Sequence, residues 1–250
     1  MTKQNIIFKA KGSEILRFCA LADVVEQDIL IEMGKDGVRF RAVAPSHAAM
    51  IEVELGRITG NHRTTKFGIE VRDLKESAEK SENIIIKWAK DGQNIIIKAD
   101  KWETKLRPLP EETLYPPSLP DVNPLHAKTV HTSTIDFKLG CDRLSKISDL
   151  CTLTLDKSLT GEVKAGKTRS RRFDFSNSLN KQVYKSNLKK KTSSQYSLTY
   201  LSNFAKKLKV GKDAHMVSFT VNQNDYPVCI RGKEGRMSWT YFLAPRIENN

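Results

Sequence analysis

Groups able to do covalent or metal chemistry occur in this chain, but their spacing does not serve it. There is no Gly-rich phosphate loop, no G-K-[ST], no G-x-S-x-G and no H-E-x-x-H, so the usual frames for phosphate, a nucleophilic serine or zinc are missing. His47, His62, His126, His131 and His215 have no metal-ligand spacing among themselves. His126 and His131 stand five apart in a loop-to-strand region, a poor frame for a metal. Cys19, Cys141, Cys151 and Cys229 form no C-x-x-C pair and read as reduced, intracellular core thiols. No nucleophile, base and orienting group can be grouped. The expectation is a protein without catalytic residues, metal or cofactor.

Positive charge is the chemistry the sequence does supply. The chain has 42 basic and 29 acidic residues, a net charge of +13. Residues 1–125 hold 19 of each sign, so the excess falls wholly in residues 126–250, with 23 basic and 10 acidic groups. Lys164 to Lys191 alone carries ten basic residues against Asp174. A polyanion, most simply nucleic acid, is the partner this suggests, beside the plainer reading of a solvated basic face.

Such groups need elements to hold them. At 250 residues, 39% hydrophobic and 28% charged, the chain can bury a real core and is neither disordered nor membrane-spanning. Its apolar runs are far shorter than the ~20 residues of a spanning helix, and MTKQNIIFKAKG lacks the apolar stretch of a secretory signal. A helix followed by a strand hairpin recurs four times. Ser13 to Val25, with Ser13 as N-cap, leads into Ile29–Met33 and Val38–Val43. Val71 to Lys80 leads into Ile84–Ala89 and Ile95–Ala99. Phe137 to Ile147 leads into Cys151–Leu155 and Val163–Ala165 around a turn at 159–161. Leu198 to Leu208 leads into Met216–Val221 and Val228–Arg231. Apolar stripes such as Leu198, Leu201, Phe204, Ala205 and Leu208 predict helices laid on antiparallel sheets, an α+β class. Glu76 and Lys80 read as an ordinary surface pair on one helix.

Six of the nine prolines fall between Pro108 and Pro124. They make a stiff connector between two pairs of units. Leu109, Leu114, Tyr115, Leu119 and Leu125 give it apolar side chains that either latch onto a domain or help form a groove for a partner.

Two segments carry a family resemblance. RFRAVAPSHAAM at 39–50 and YFLAPRIE at 241–248 resemble sliding clamps of the proliferating-cell-nuclear-antigen type. Arg143 to Asp149 and Tyr200 to Phe204 fall where that family has its third and fourth helices. The likeness covers the whole chain, and its size and connector look archaeal. It implies an N-terminal clamp domain at 1–106, a connecting loop at 107–125 and a C-terminal clamp domain at 126–250. The two domains would be topologically similar, each with two helices on antiparallel sheets. Three chains would close into a ring around duplex DNA, and the protein would act as a polymerase processivity factor in DNA replication and repair.

The resemblance also implies three sets of residues. Arg17, Lys75, Lys80, Lys138, Arg143, Lys146, Lys206 and Lys207 would face DNA without reading its sequence. A pocket for short client peptides would use Val43, His47, Ala48, Met50, Leu114, Tyr115, Leu125, Pro227, Phe242, Leu243, Ala244 and Pro245. Polymerase, clamp loader, ligase and nucleases would dock there. The subunit joint would pair a strand near Lys98–Leu106, with Lys98, Lys101, Glu103 and Lys105, to an edge strand at Arg171–Ser178, with Arg171, Arg172, Phe173 and Phe175.

Some features depart from the family pattern. Ala44, followed by Pro45, stands where the family usually has an acidic residue near the pocket, and Asp23 and Asp142 lie where basic lining groups are usual. The basic excess would oppose self-assembly at low ionic strength, while Glu103 meeting Arg171 or Arg172 across the joint would favour it. A homotrimer ranks ahead of a heterotrimer. Rival readings are a subunit of a heteromeric, damage-response clamp and a basic nucleic-acid-binding protein that forms no ring. The expected location is intracellular: with the nucleoid in an archaeal cytoplasm, or in a eukaryotic nucleus.

Overall fold

Alternating apolar residues and capped helical stripes lay out one order of elements twice along the chain. The computed structural model describes residues 6–34, 37–56, 64–90, 92–114, 118–120, 128–156, 158–166, 168–175, 191–210 and 216–247. The first run is β1 (Ile6–Lys11), α1 (Gly12–Ala22), β2 (Asp28–Gly34), β3 (Gly37–Val43), β4 (Ala49–Gly56), β5 (Thr65–Glu70), α2 (Val71–Ala78), β6 (Asn83–Trp88), β7 (Ile95–Ala99) and β8 (Trp102–Leu106). The second is β9 (Lys128–Ser133), α3 (Thr134–Ser145), β10 (Leu150–Leu155), β11 (Leu159–Ala165), β12 (Arg169–Asp174), β13 (Thr192–Ser197), α4 (Leu198–Lys207), β14 (Met216–Val221), β15 (Val228–Glu234) and β16 (Met237–Leu243).

Two units divide these residues. One holds 1–45, 51–118 and 235–239; the other holds 46–50, 119–234 and 240–250. Within the first, strands run in the orders β1-β6-β7-β8 and β5-β2-β3-β4. Within the second, β12-β11-β10-β13 forms one sheet, and β9-β14-β15 forms another with the end of β16. The pairings are antiparallel, as in Ile97 opposite Thr104 and Val163 opposite Arg171.

Each unit packs two helices side by side on its strands. In the first unit α1 buries Ile15, Phe18 and Cys19, and α2 buries Val71, Leu74 and Ala78. Phe18 meets Phe40 edge-on at 4.6 Å. In the second unit α3 buries Phe137, Cys141 and Leu144, and α4 buries Leu201, Phe204 and Ala205. Phe204 stacks on Tyr241 at 4.1 Å. The fourfold helix-and-hairpin pattern is therefore present, and the four cysteines are buried free thiols. Burial pushes the Cys19 and Cys151 thiols up to about 12, far from the reactive range.

The structure corrects several local readings. Helix α1 begins at Gly12 with Lys11 as its N-cap, not Ser13, because Glu14 accepts the Lys11 N–H at 3.1 Å and closes the first turn. The turn expected at 159–161 lies inside β11, where Leu155 already pairs with Leu159. Gly161 is needed there for space: a Cβ would sit 2.8 Å from the Phe175 ring. Helix α2 stops at Ala78, and Lys80 has a left-handed φ of 61°, so Glu76 and Lys80 do not share a helix face. The strand expected near Lys98–Leu106 is broken by Asp100, at φ 45°, into the ends of β7 and β8. The edge strand is Arg169–Asp174, with 176–178 outside the described residues.

Candidate nucleic-acid interface and partner pocket

The helices decide where the expected basic lining stands. Arg17 on α1 is half-buried, and Lys75 on α2 is exposed with its ammonium 4.0 Å from the Asp23 carboxylate. Lys80 is exposed in the turn after α2 rather than on its face. On α3, Arg143 and Lys146 are exposed, Lys146 pairing with Asp142 at 3.2 Å. Lys206 and Lys207 are exposed in the last turn of α4, where positive charge also suits the helix dipole.

Lys138 has a different task. Its Nζ donates to the carbonyl oxygens of Lys206 at 3.4 Å and Leu208 at 3.0 Å. These are open acceptors at the C-terminus of α4, so Lys138 caps that helix from its neighbour. A free phosphate-facing role does not fit this geometry. The acids at 23 and 142 noted in the sequence reduce the exposed charge of Lys75 and Lys146 through the ion pairs above.

The pocket residues fall into two groups, described separately. In the first unit, Val43 at the end of β3 lines a groove of about 240 Å³ with Leu30, Ala42, Thr113 and Leu114. Glu26, Asp28 and Arg41 line it as well. The connector's first residues are fastened nearby: Leu109 donates its N–H to the Gly68 carbonyl at 3.0 Å. A Cβ on Gly68 would lie 2.7 Å from the Leu109 oxygen, so glycine permits this approach. Leu109 and Leu114 thus latch onto β5.

In the second unit, Met50 packs with Leu119 and Tyr226 against Cys229 and Phe242. The Ala48 carbonyl accepts the Ala244 N–H at 2.8 Å, which holds the 46–50 segment beside the C-terminal chain. His47 is exposed with a left-handed φ of 55°. Ala48, Pro227, Ala244 and Pro245 are half-buried, whereas Leu243 is fully buried and belongs to the core. Tyr115 and Leu125 lie outside the described residues. Leu119 and Tyr226 join this cluster although the sequence motifs do not single them out; the apolar content of the connector was the only signal for Leu119.

The expected joint residues also sort by exposure. Lys98, Lys101, Glu103, Lys105, Arg171 and Arg172 are exposed, and Phe173 is half-buried. Lys98 and Glu103 pair at 2.8 Å within their own hairpin, which holds the Glu103 carboxyl below the usual carboxylate range. The Arg171 guanidinium donates to the Arg143 carbonyl at 3.1 Å. Phe175 is 2% exposed, its ring packed over Gly140, so it supports β12 from within. Among the described residues no group of three His, Cys, Asp or Glu side chains is placed to hold a metal. No helix among them is long and apolar enough to cross a membrane.

No protein-family model matches the chain. A curated relative, the DNA polymerase sliding clamp of Cenarchaeum symbiosum (strain A), is 25% identical over 252 residues, covering 96% of this chain and 98% of that one. Solved structures share the fold. The proliferating cell nuclear antigen of A. fulgidus, solved with the C-terminal region of FEN-1 bound, aligns with a TM-score of 0.82 at 21% identity, covering 97% of this chain and 99% of that one. That of Thermococcus kodakaraensis aligns at 0.79 with 13% identity, covering 96% and 99%. The Entamoeba histolytica antigen aligns at 0.77 with 15% identity, covering 97% and 100%. One end-to-end likeness of sequence and three of fold show that the chain shares the fold of the sliding clamps of the proliferating-cell-nuclear-antigen type.

Proposed function

We propose that the chain is a DNA sliding clamp, a processivity factor that encircles duplex DNA as a ring of three chains and docks replication and repair enzymes. The observation that carries this reading is the doubled order of elements, in which each half presents a packed helix pair with cations on its solvent side. Arg143, Lys146, Lys206 and Lys207 in one unit, and Arg17 and Lys75 in the other, form the phosphate-facing set. Contacts from flexible cations to phosphates carry no sequence information, which lets a ring slide. Lys80 is at most a peripheral member of this set.

Client recognition falls to the half-buried apolar residues around Met50 and Phe242 and to the groove beside Val43 and Leu114. Both suit a short segment with apolar anchors. Polymerase, clamp loader, ligase and nuclease are the client classes, and the protein acts where DNA is replicated. The domains run 1–106 and 126–250, joined by 107–125. The protein is not an enzyme on this reading: its buried cysteines are inert, and Glu14, Glu32, Glu52 and Glu103 are held in ion pairs.

The test compares circular and linear duplexes after loading. Retention on circles and rapid loss from free linear ends is the expected result. Equal retention on both would favour a basic protein that binds DNA without encircling it. DNA cleavage requiring magnesium would overturn the non-enzymatic reading.

A further inference from the structure

The three chain segments around Met50 and Phe242 are all fastened to one stretch, Ser193 to Tyr200, which runs from β13 into α4. The 46–50 segment is tied to it by a hydrogen bond of 2.6 Å between the Ser46 and Tyr200 hydroxyls. The 224–227 segment is tied at successive positions. Asn224 Oδ1 accepts the Ser193 N–H at 2.9 Å, and Ser194 Oγ accepts the Asp225 N–H at 2.7 Å. The Tyr196 hydroxyl then donates to the Tyr226 carbonyl at 2.8 Å. The C-terminal chain is tied through its backbone, the Arg246 N–H donating to the Gln195 carbonyl at 2.8 Å.

Two of these segments carry a residue in a sparsely populated backbone region. His47 has φ 55° and Asp225 has φ 54°, left-handed values that residues with side chains seldom adopt. Such conformations persist only where surrounding contacts impose them, and they gather at ligand-holding sites. Here the imposing contacts come from Ser193 to Tyr200. Ser46 Oγ, itself bonded to Tyr200, accepts the Ala48 N–H at 3.3 Å and so brackets His47. Ser194 takes the N–H of Asp225 and Tyr196 takes the carbonyl of the next residue, which brackets Asp225 in the same way.

We propose that Ser194, Tyr196 and Tyr200 are positioning residues of the client pocket, holding two of its walls in a form ready to bind. The proposal rests on the client-docking reading above and extends it to residues outside the apolar cluster. Tyr196 fixes the backbone of Tyr226, whose side chain packs with Met50 and Leu119 against Cys229 and Phe242. Tyr200 fixes the rim at His47 and Ala48, and the Ala48 carbonyl in turn accepts the Ala244 N–H. Without these ties both walls would have to be ordered at the moment of binding, and that ordering is subtracted from affinity. The arrangement also gives the buried polar side chains of β13 a task. Apolar residues at 194 and 196 would pack there but could not bond the backbone of Asp225 and Tyr226.

The experiment uses the full-length protein and a labelled peptide copied from the C-terminal region of FEN-1, the segment bound in the A. fulgidus structure. Fluorescence anisotropy reads affinity, and melting curves are recorded in parallel. Tyr196→Phe, Tyr200→Phe and Ser46→Ala should each weaken binding by about threefold to tenfold, the worth of one hydrogen bond. Tyr200→Phe and Ser46→Ala combined should lose little more than either alone, because both remove the same bond. Ser46→Thr, which keeps the hydroxyl, should bind like wild type. Thr132→Val deletes a buried hydrogen bond to the Phe175 carbonyl in the same unit and should lower the melting midpoint without weakening the peptide. Tyrosine variants that melt early yet bind the peptide like wild type would overturn the positioning role and leave the pocket standing. Additive losses from Ser46 and Tyr200 would overturn the half of the proposal that runs through their bond. A wild type that does not bind the peptide would overturn the pocket and its frame together, while retention on circular DNA would still decide the clamp reading.

Discussion

Arg236 grips Glu14 with two hydrogen bonds across 222 positions of sequence, from Nε to Oε1 at 3.0 Å and from Nη2 to Oε2 at 2.6 Å. The same carboxylate accepts the Lys11 N–H, and the Arg236 carbonyl accepts the Gly56 N–H at 3.0 Å. One carboxylate thus closes the N-terminus of α1 and fastens the turn that follows β15. Gly235 permits that turn by adopting φ 58°.

Replacing Glu14 by Gln should therefore lower stability by about 1 kcal/mol near neutral pH, since both side chains are partly exposed and solvent weakens the pair. The Arg236 hydrogen bond holds the Glu14 carboxyl below the usual carboxylate range. A depressed folded value contributes stability above the unfolded value and loses it as pH falls through the folded one. The gap between wild type and variant should be full at pH 7 and shrink as pH falls below about 4. Urea midpoints across pH measure it. A gap that stays constant through that range would contradict the linkage.

Lys138 and Arg143 lie on the same helix and should separate cleanly by experiment. Lys138→Met removes the ammonium from the α4 carbonyls and should cost about 1–2 kcal/mol of stability while leaving DNA affinity nearly unchanged. Arg143→Gln should do the reverse, losing one phosphate contact and flattening the slope of log affinity against log salt by about 0.9. Paired melting curves and salt titrations on duplex DNA check both. An equal loss of DNA affinity in the two variants would return Lys138 to the lining set.

Gly140 faces the rings that support β12. A Cβ there would lie 2.7 Å from Phe173 and closer still to Phe175. Thr132, fully buried, donates its hydroxyl to the Phe175 carbonyl and keeps that ring from moving away. Gly140→Ala should cost about 1–3 kcal/mol through overpacking. Adding Phe175→Leu should recover part of that loss by making room. Denaturant midpoints of the single and double variants decide it, and strictly additive losses would sink the packing account.

The helices were legible because their apolar stripes survive in the sequence, as in Leu201, Phe204 and Ala205. The hairpins were legible where isoleucine-rich runs alternate around glycine. Strand β13, TSSQYS, was not, because its buried face is largely polar. Thr192, Ser194 and Tyr196 point inward, with Ser194 accepting the Asp225 N–H at 2.7 Å and Tyr196 donating to the Tyr226 carbonyl at 2.8 Å. A hydrophobic period cannot report such a strand. The site was legible in part for the same kind of reason. Basic residues opposite a stripe can be found from helical spacing, but the spacing does not tell that Lys138 reaches the end of α4. Nor does it bring Leu119 and Tyr226 to Met50, since those contacts arise only from tertiary packing.

His131 gives the second unit a proton sensitivity of its own. It lies in β9 opposite Ser218 of β14, and burial holds its imidazole below the ordinary histidine value. The folded state therefore favours the neutral ring, while the unfolded chain binds a proton more readily. Between the unfolded value near 6.5 and the lower folded one, the unfolded state holds more protons, so stability rises with pH across that window. Above it the contribution is full; below it the contribution is gone. His131→Gln, which keeps a polar side chain without the titration, should remove this step while preserving the acid-side loss assigned to Glu14. Thermal midpoints of wild type and variant from pH 7.5 to 5 should diverge at the upper end and converge at the lower. Parallel curves across that range would show that protonation of His131 is not coupled to folding.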